Sequence, residues 1–156
     1  MKLLRELLYG LECDSVIGNT NTRILNIQFN SKEVRSGDLF VAIQGKHHDG
    51  HNFIVNAIDS GAVAVVCENI PNIRKDQTTY IKVKNSSFAL SVLASNFFNN
   101  PSKNIKLIGV TGTNGKTSVV YYLFSLFKKL NFKVGLLSTI DQKIDNTSNP
   151  STHTTP

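Results

Sequence analysis

Cysteine is nearly absent from this 156-residue chain. Cys13 and Cys67 alone cannot build a disulfide framework, so a reducing cytoplasm is the expected compartment. Long hydrophobic runs are missing too. Stretches such as residues 62–67 fall far short of the about 20 apolar residues a membrane-spanning helix needs. The N-terminus, MKLLRELLYGLECD, sets acids among its leucines and lacks a small-residue cleavage site, so it does not read as a secretory signal. Alanine is scarce, with six residues against seventeen asparagines. Asn, Lys, Ile and Phe share A/T-rich codons, and a biased genome explains that imbalance. Acids are also short in the second half. Residues 1–81 carry a net charge of −1, whereas residues 82–156 carry +7.

What is present supports a folded protein of one domain or two small ones. A hydrophobic fraction of 40% is ordinary for a globular chain. The basic half calls for an anionic partner: nucleic acid, a nucleotide or a phosphorylated metabolite. No aromatic stacking platform or nucleic-acid-binding motif accompanies it, so nucleic acid is not the expected partner.

Periodicity predicts a short amphipathic helix over residues 2–10, on Leu3, Leu4, Leu7 and Leu8. Strands are predicted at 23–29, 39–43, 62–67 and 80–83. A helix at 51–60, closed by Gly61, and one from Ser86 or Ser87 to Phe98 alternate with them. The second helix is expected to bury Phe88, Val92, Leu93, Phe97 and Phe98. The alternation argues for a small α/β domain over residues 1–84, with a helix and joint at 85–104. Residues 105–156 then offer a strand at 105–110, a helix at 116–130 and a strand at 133–138, one βαβ unit. The tail at 139–156 is polar and aperiodic, a composition that passes for disorder.

The sharpest motif is Gly109-Val110-Thr111-Gly112-Thr113-Asn114-Gly115-Lys116-Thr117-Ser118. Glycines let backbone N–H groups approach phosphate oxygens, and the helix N-terminus adds unsatisfied donors. Lys116 reaches β- and γ-phosphates, and the Thr117 hydroxyl is a Mg²⁺ ligand. Val110 stands where the common phosphate-loop pattern has its first glycine. The bland alternative is a glycine-rich connection that binds nothing. Strand, loop, Lys and Thr falling in the required order weigh against it. The other polar cluster, His47, His48, Asp49 and His51, reads as a solvated loop or nucleotide contact rather than a metal site, because adjacent histidines rarely point the same way.

The segment GVTGTNGKTS resembles the ATP loop of the Mur ligases, the amide-forming enzymes of peptidoglycan precursor synthesis. Residues 30–43, followed by Gln44-Gly45 and Asp49-Gly50-His51, resemble the uridine-nucleotide-binding domain of the members that add the third residue or the terminal dipeptide. Thr113-Asn114 and the terminal His153-Thr154-Thr155-Pro156 favour the third-residue branch, with the dipeptide-adding branch and a non-catalytic UDP-sugar module as alternatives.

The resemblance implies an N-terminal UDP-sugar domain followed by the first βαβ unit of a P-loop Mur-ligase central domain. It implies ATP and Mg²⁺ as cofactors, UDP-MurNAc-dipeptide and an amino acid (diaminopimelate) as substrates, and a cytoplasmic monomer that acts through an acyl phosphate. Phe29, Ser31, Lys46, His47 and His48 match the UDP-sugar site. Gly112, Thr113, Asn114, Gly115, Lys116, Thr117 and Ser118 match the ATP loop, with Lys116 catalytic and Thr117 on the metal. His153, Thr154 and Thr155 match the peptide-contacting stretch. Asn30 and Lys32 stand where the family usually has Asp and Arg; Lys32 keeps the charge without the planar fork. The family's other central strands, its acidic metal ligands and its amino-acid-binding domain have no counterpart in these residues. A partial or catalytically inactive chain is therefore expected.

Overall fold

A computed structural model describes residues 1–45, 48–72 and 74–150. The chain divides into two units, Met1–Ile105 and Lys106–Pro156.

The first unit contains β1 (Lys2–Leu3), α1 (Leu4–Leu7), β2 (Ser15–Ile17), β3 (Arg23–Ile24), β4 (Ile27–Gln28), β5 (Leu39–Val41), α2 (Ile54–Asp59), β6 (Ala64–Cys67), β7 (Thr79–Lys82) and α3 (Ser86–Phe97). Five strands form a sheet in the order β2-β7-β6-β5-β4. β4 to β7 run parallel, and β2 joins the edge antiparallel, pairing Ser15 with Lys82. β1 and β3 form a separate two-stranded ladder.

Strand register explains why β5 and β6 read as continuous apolar runs and why Tyr80 and Ile81 of β7 are both buried. Successive side chains point to opposite faces, and both faces are covered. Leu39 and Val41 face the same side as Ala64, Val66, Ile81 and Val83, and pack with Leu4, Leu7, Ile24, Ala89 and Leu93. Phe40, Ala42, Val65, Cys67 and Tyr80 face the other side, against Ile54 and Ala57 of α2. Burial pushes the Cys67 thiol up to about 11, the behaviour of an inert core residue.

Several elements differ from the sequence reading. The predicted helix at 2–10 shortens to Leu4–Leu7, because Lys2 and Leu3 pair with Arg23 and Ile24 instead. The predicted strand at 23–29 breaks into β3 and β4. The helix at 51–60 begins as a 3₁₀ turn, Gly50–Phe53, and becomes α-helical at Ile54. Gly61 does close it, at φ +107°; a Cβ there would stand 2.6 Å from Ser36 Cα.

The cap of α3 is Asn85, whose side chain accepts from Phe88 N–H at 2.8 Å, not Ser86 or Ser87. The buried face of α3 is Ser86, Ala89 and Leu93, with Phe88 and Phe98 exposed. Small side chains there bring the helix close to the sheet. Ser86 instead donates its N–H and hydroxyl to Glu68 Oε1, at 2.9 and 2.8 Å. These two bonds hold the Glu68 carboxyl below its usual range.

The second unit contains α4 (Lys116–Lys129), β8 (Gly135–Leu137), β9 (Asp141–Ile144) and β10 (Thr147–Pro150). The three strands are antiparallel, in the order β10-β9-β8. Residues 105–110, predicted as a strand, join no ladder among the described residues. The tail predicted to be aperiodic forms the β9–β10 hairpin, turning at Asp145 with φ 51°. Asp and Asn tolerate that left-handed conformation, which makes Asp145-Asn146 a hairpin signal despite the polar strands around it. Tyr121 of α4 donates its hydroxyl to Asp141, and Lys143 lies over the Tyr121 ring at 4.5 Å. Only Phe124, Leu136 and Ser138 are buried among the described residues of this unit.

Two outcomes follow from this packing. Leu93→Ala should cost the first unit about 2–5 kcal/mol in denaturant unfolding. In hydrogen exchange, amides of β5, β6, β7 and α3 should exchange slowest and those of α4 and β8–β10 clearly faster; equal protection would contradict the burial pattern. The depressed Glu68 carboxyl stabilises the fold above its unfolded pKa of about 4.3, and that contribution is lost as pH falls through the lower folded value. The melting-temperature gap between wild type and Glu68→Gln should therefore be larger at pH 7 than at pH 3.

Candidate functional site

In parallel α/β sheets the carboxyl ends of the strands are where ligands bind, because the chain leaves each buried strand there as exposed loop. β4 ends at Gln28, and Phe29 follows it, half exposed. Ser31 opens a 3₁₀ turn, Ser31–Glu33. Asn30 caps that turn by accepting from Lys32 N–H at 3.1 Å, and its amide donates to Glu33 Oε1 at 3.0 Å. β5, the neighbouring parallel strand, ends at Val41 and leads into a tight excursion. Gln44 pairs with Asp49, Gly45 N–H donates to the His48 carbonyl at 2.9 Å, and Gly50 N–H donates to the Ile43 carbonyl at 2.8 Å. Phe29, Ser31 and the exposed His48 therefore stand at the same edge of two adjacent strands. Lys46 and His47 lie outside the described residues.

Behind this edge is a set of bonds that the sequence reading missed. The Asp49 carboxylate accepts from His51 N–H at 2.9 Å and lies 2.6 Å from His51 Nδ1. His51 Nε2 accepts the backbone N–H of Glu68, at the end of β6, at 2.9 Å. The available signal was the Asp-x-His spacing, which suits a side-chain cap on a 3₁₀ turn. Glu68 carried no local signal, since its partners are 17 and 18 residues away.

The phosphate-loop motif occupies the N-terminus of α4. Gly112 at φ 147° and Gly115 at φ 76° hold conformations that side chains disfavour. A Cβ at Gly115 would meet nothing within 4 Å, so the loop surface there is open. Lys116 is exposed and folds back onto its own loop, donating to the carbonyls of Gly112 and Thr113 at 2.5 and 3.2 Å. As the first residues of the helix, Lys116, Thr117 and Ser118 present backbone N–H groups with no intrahelical acceptor. Thr113 and Asn114 are exposed on the loop, and Thr117 is half buried in the first turn.

These features fit an anionic phosphate group: donors converge, a cation stands within the loop, and no acid lies in it. Among the described residues of the second unit the only acids are Asp141 and Asp145, and neither lies in the loop. Asp141 is engaged by Tyr121, Ser148 and Lys143, and no group of three His, Cys, Asp or Glu is placed to hold a metal among the described residues. His153, Thr154 and Thr155 lie outside the described residues. A groove of about 490 Å³ between Lys2, Arg5, Tyr9 and Asn96 contains none of the predicted site residues.

Comparison with known proteins bears on both halves. Residues 23–98 match the model for the Mur ligase family, catalytic domain, and residues 110–156 match the Mur ligase middle domain. The UDP-N-acetylmuramoyl-L-alanyl-D-glutamate–2,6-diaminopimelate ligase of Cytophaga hutchinsonii is 46% identical over 154 residues, covering 98% of this chain. The Clostridium tetani protein of the same name is 45% identical over 156 residues. The chain spans 32% of the length of each.

Among solved structures, a UDP-N-acetylmuramoyl-L-alanyl-D-glutamate–2,6-diaminopimelate ligase superposes with a TM-score of 0.72 at 19% identity, over 99% of this chain and 31% of that one, a likeness of fold. The MurF ligase of Thermotoga maritima, solved with ADP, gives 0.54 at 37% identity over 76% of this chain and 25% of that one. Two models of one family, matched in order along both units, and relatives near half identical across the whole chain lead to one conclusion: the chain belongs to the Mur ligase family.

Proposed function

We propose that this chain supplies the uridine-nucleotide site and the ATP loop of a ligase that joins 2,6-diaminopimelate to UDP-MurNAc-L-Ala-D-Glu. The observation that carries this reading is the glycine loop, with Gly112 and Gly115 at positive φ and Lys116 within it, opening α4. The curated relatives, named for that reaction, favour the third-residue branch over the dipeptide-adding one.

In this reading the uridine nucleotide lies against Phe29 and Ser31 at the end of β4, with His48 from the neighbouring excursion, and Lys46 and His47 complete that contact. The N–H groups of Gly115 to Ser118 take the β-phosphate oxygens of ATP. Lys116 exchanges its two loop carbonyls for β- and γ-phosphate oxygens, trading neutral acceptors for charged ones. Its charge then stabilises the negative charge that builds as the substrate carboxylate attacks γ-phosphorus and the bond to ADP breaks. An amine of the incoming amino acid attacks the acyl phosphate; inorganic phosphate leaves and the nitrogen loses a proton. When bound, Mg²⁺ screens the phosphate oxygens, and Thr117 offers it a hydroxyl. His153, Thr154 and Thr155 contact the peptide. No helix among the described residues is long and apolar enough to cross a membrane, and we place the protein in the cytoplasm as a monomer.

Calorimetric titration of the chain with ADP should show saturable binding that Lys116→Ala weakens by at least about tenfold, the worth of one charge-assisted hydrogen bond. Titration with UDP should show a second, independent binding event that Ser31→Ala weakens and Lys116→Ala leaves unchanged. UDP binding without any response to ADP would favour a uridine-nucleotide module without catalysis, a reading that the separate core of the first unit supports. No binding of either would contradict the proposal.

A further inference from the structure

The ring of His51 is 13% exposed and bonds to two separate segments of the first unit. A ring nitrogen that accepts from an N–H carries no proton. Nε2 accepts from Glu68 N–H, so the neutral ring bears its proton on Nδ1 and donates it to Asp49. Asp49 is paired along the backbone with Gln44, closing the excursion after β5. Glu68 in turn accepts from Ser86 in the first turn of α3. One line of hydrogen bonds therefore runs from the excursion, through His51, to the end of β6 and the start of α3.

The approach is also close in the backbone. A Cβ at Gly50 would stand 2.7 Å from both the N and the O of Ile43, so the excursion is held against the strand it leaves. The Asp49 carboxyl sits below its ordinary range, chiefly because it accepts the His51 backbone N–H and next because of the ring.

We propose that His51 is a positioning residue for the uridine nucleotide. It pins the excursion carrying Gln44, Gly45, His48 and Asp49 to the end of β6 through its Nε2 bond with Glu68 N–H. This inference rests on reading the carboxyl edge of β4 and β5 as the nucleotide site. Both ring nitrogens of His51 are engaged, by Asp49 and by Glu68 N–H, so it acts through the excursion and not by contact with the ligand.

The two ring nitrogens can be separated by substitution. A glutamine at 51 places an amide oxygen near the Nε2 position and keeps an acceptor for Glu68 N–H. An asparagine reaches only the Nδ1 position and keeps the bond to Asp49. Leu93→Ala destabilises the same unit from the buried middle of α3 and serves as the control for stability alone.

UDP affinity of the purified chain, measured calorimetrically where every variant is folded, should fall about tenfold in His51→Ala, the worth of one hydrogen bond. His51→Gln should recover most of that loss, His51→Asn should not, and Leu93→Ala should bind as wild type. Equal binding by wild type and His51→Ala, equal rescue by Gln and Asn, or an equal loss in Leu93→Ala would overturn the proposal. Residue-resolved hydrogen exchange separates its failure from failure of the nucleotide reading. If wild type does not bind UDP, that reading falls. Pinning still requires the amides of Gly45 and Gly50 to exchange faster in His51→Ala and His51→Asn than in wild type and His51→Gln. Unchanged exchange would overturn it.

Discussion

Double-sided burial of the parallel strands β5, β6 and β7 governs the first unit. Their side chains alternate between two apolar layers, one under α1 and α3 and one under α2. Neither face leaves room for polar chemistry, so polar groups gather where the strands end. Phe29, Ser31, His48, Glu68 and Ser86 all follow the carboxyl ends of β4 to β7. The same constraint explains why the acids there are engaged. Asp49 and Glu68 each accept two hydrogen bonds, which hold both carboxyls low and make them parts of the scaffold.

The second unit obeys a different constraint. Its candidate chemistry lies in backbone geometry: two glycines at positive φ and the unsatisfied N–H groups of a helix start. Few side chains are buried behind it, and a polar cluster of Tyr121, Asp141 and Lys143 ties helix to hairpin. Asp141 lowers its own pKa and raises that of Tyr121 through the bond they share. That arrangement occupies the carboxylate with structure.

Much of this was legible in the sequence, and the divisions are physical. β5 and β6 are legible because continuous apolar runs report burial on both faces, and β7 because Tyr80 and Ile81 sit side by side in a β-favouring stretch. α4 was legible from its glycine loop and its basic last turn. Leu3, Leu4, Leu7 and Leu8 suit the helix expected over residues 2–10, but it is shorter because Lys2 and Leu3 find strand partners at Ile24 and Arg23. Phe88 and Phe98 belong to the helical apolar stripe expected to be buried, yet both are exposed; the fully buried face is Ser86, Ala89 and Leu93, with Leu90 and Phe97 partly buried beside it. The β9–β10 hairpin was hidden by polar strands with no buried face. His51 and Glu68 were invisible as a pair because their contact depends on β6 lying beside β5.

The proposed uridine-nucleotide site lies at the carboxyl edge of β4 and β5. Amide chemical-shift mapping of the chain during titration with UDP tests it most directly. The largest shifts should fall at Phe29, Ser31, Gln44, Gly45 and His48, with those of α1 unmoved. Shifts centred instead on the groove of Lys2, Arg5 and Tyr9, or scattered without a centre, would contradict it.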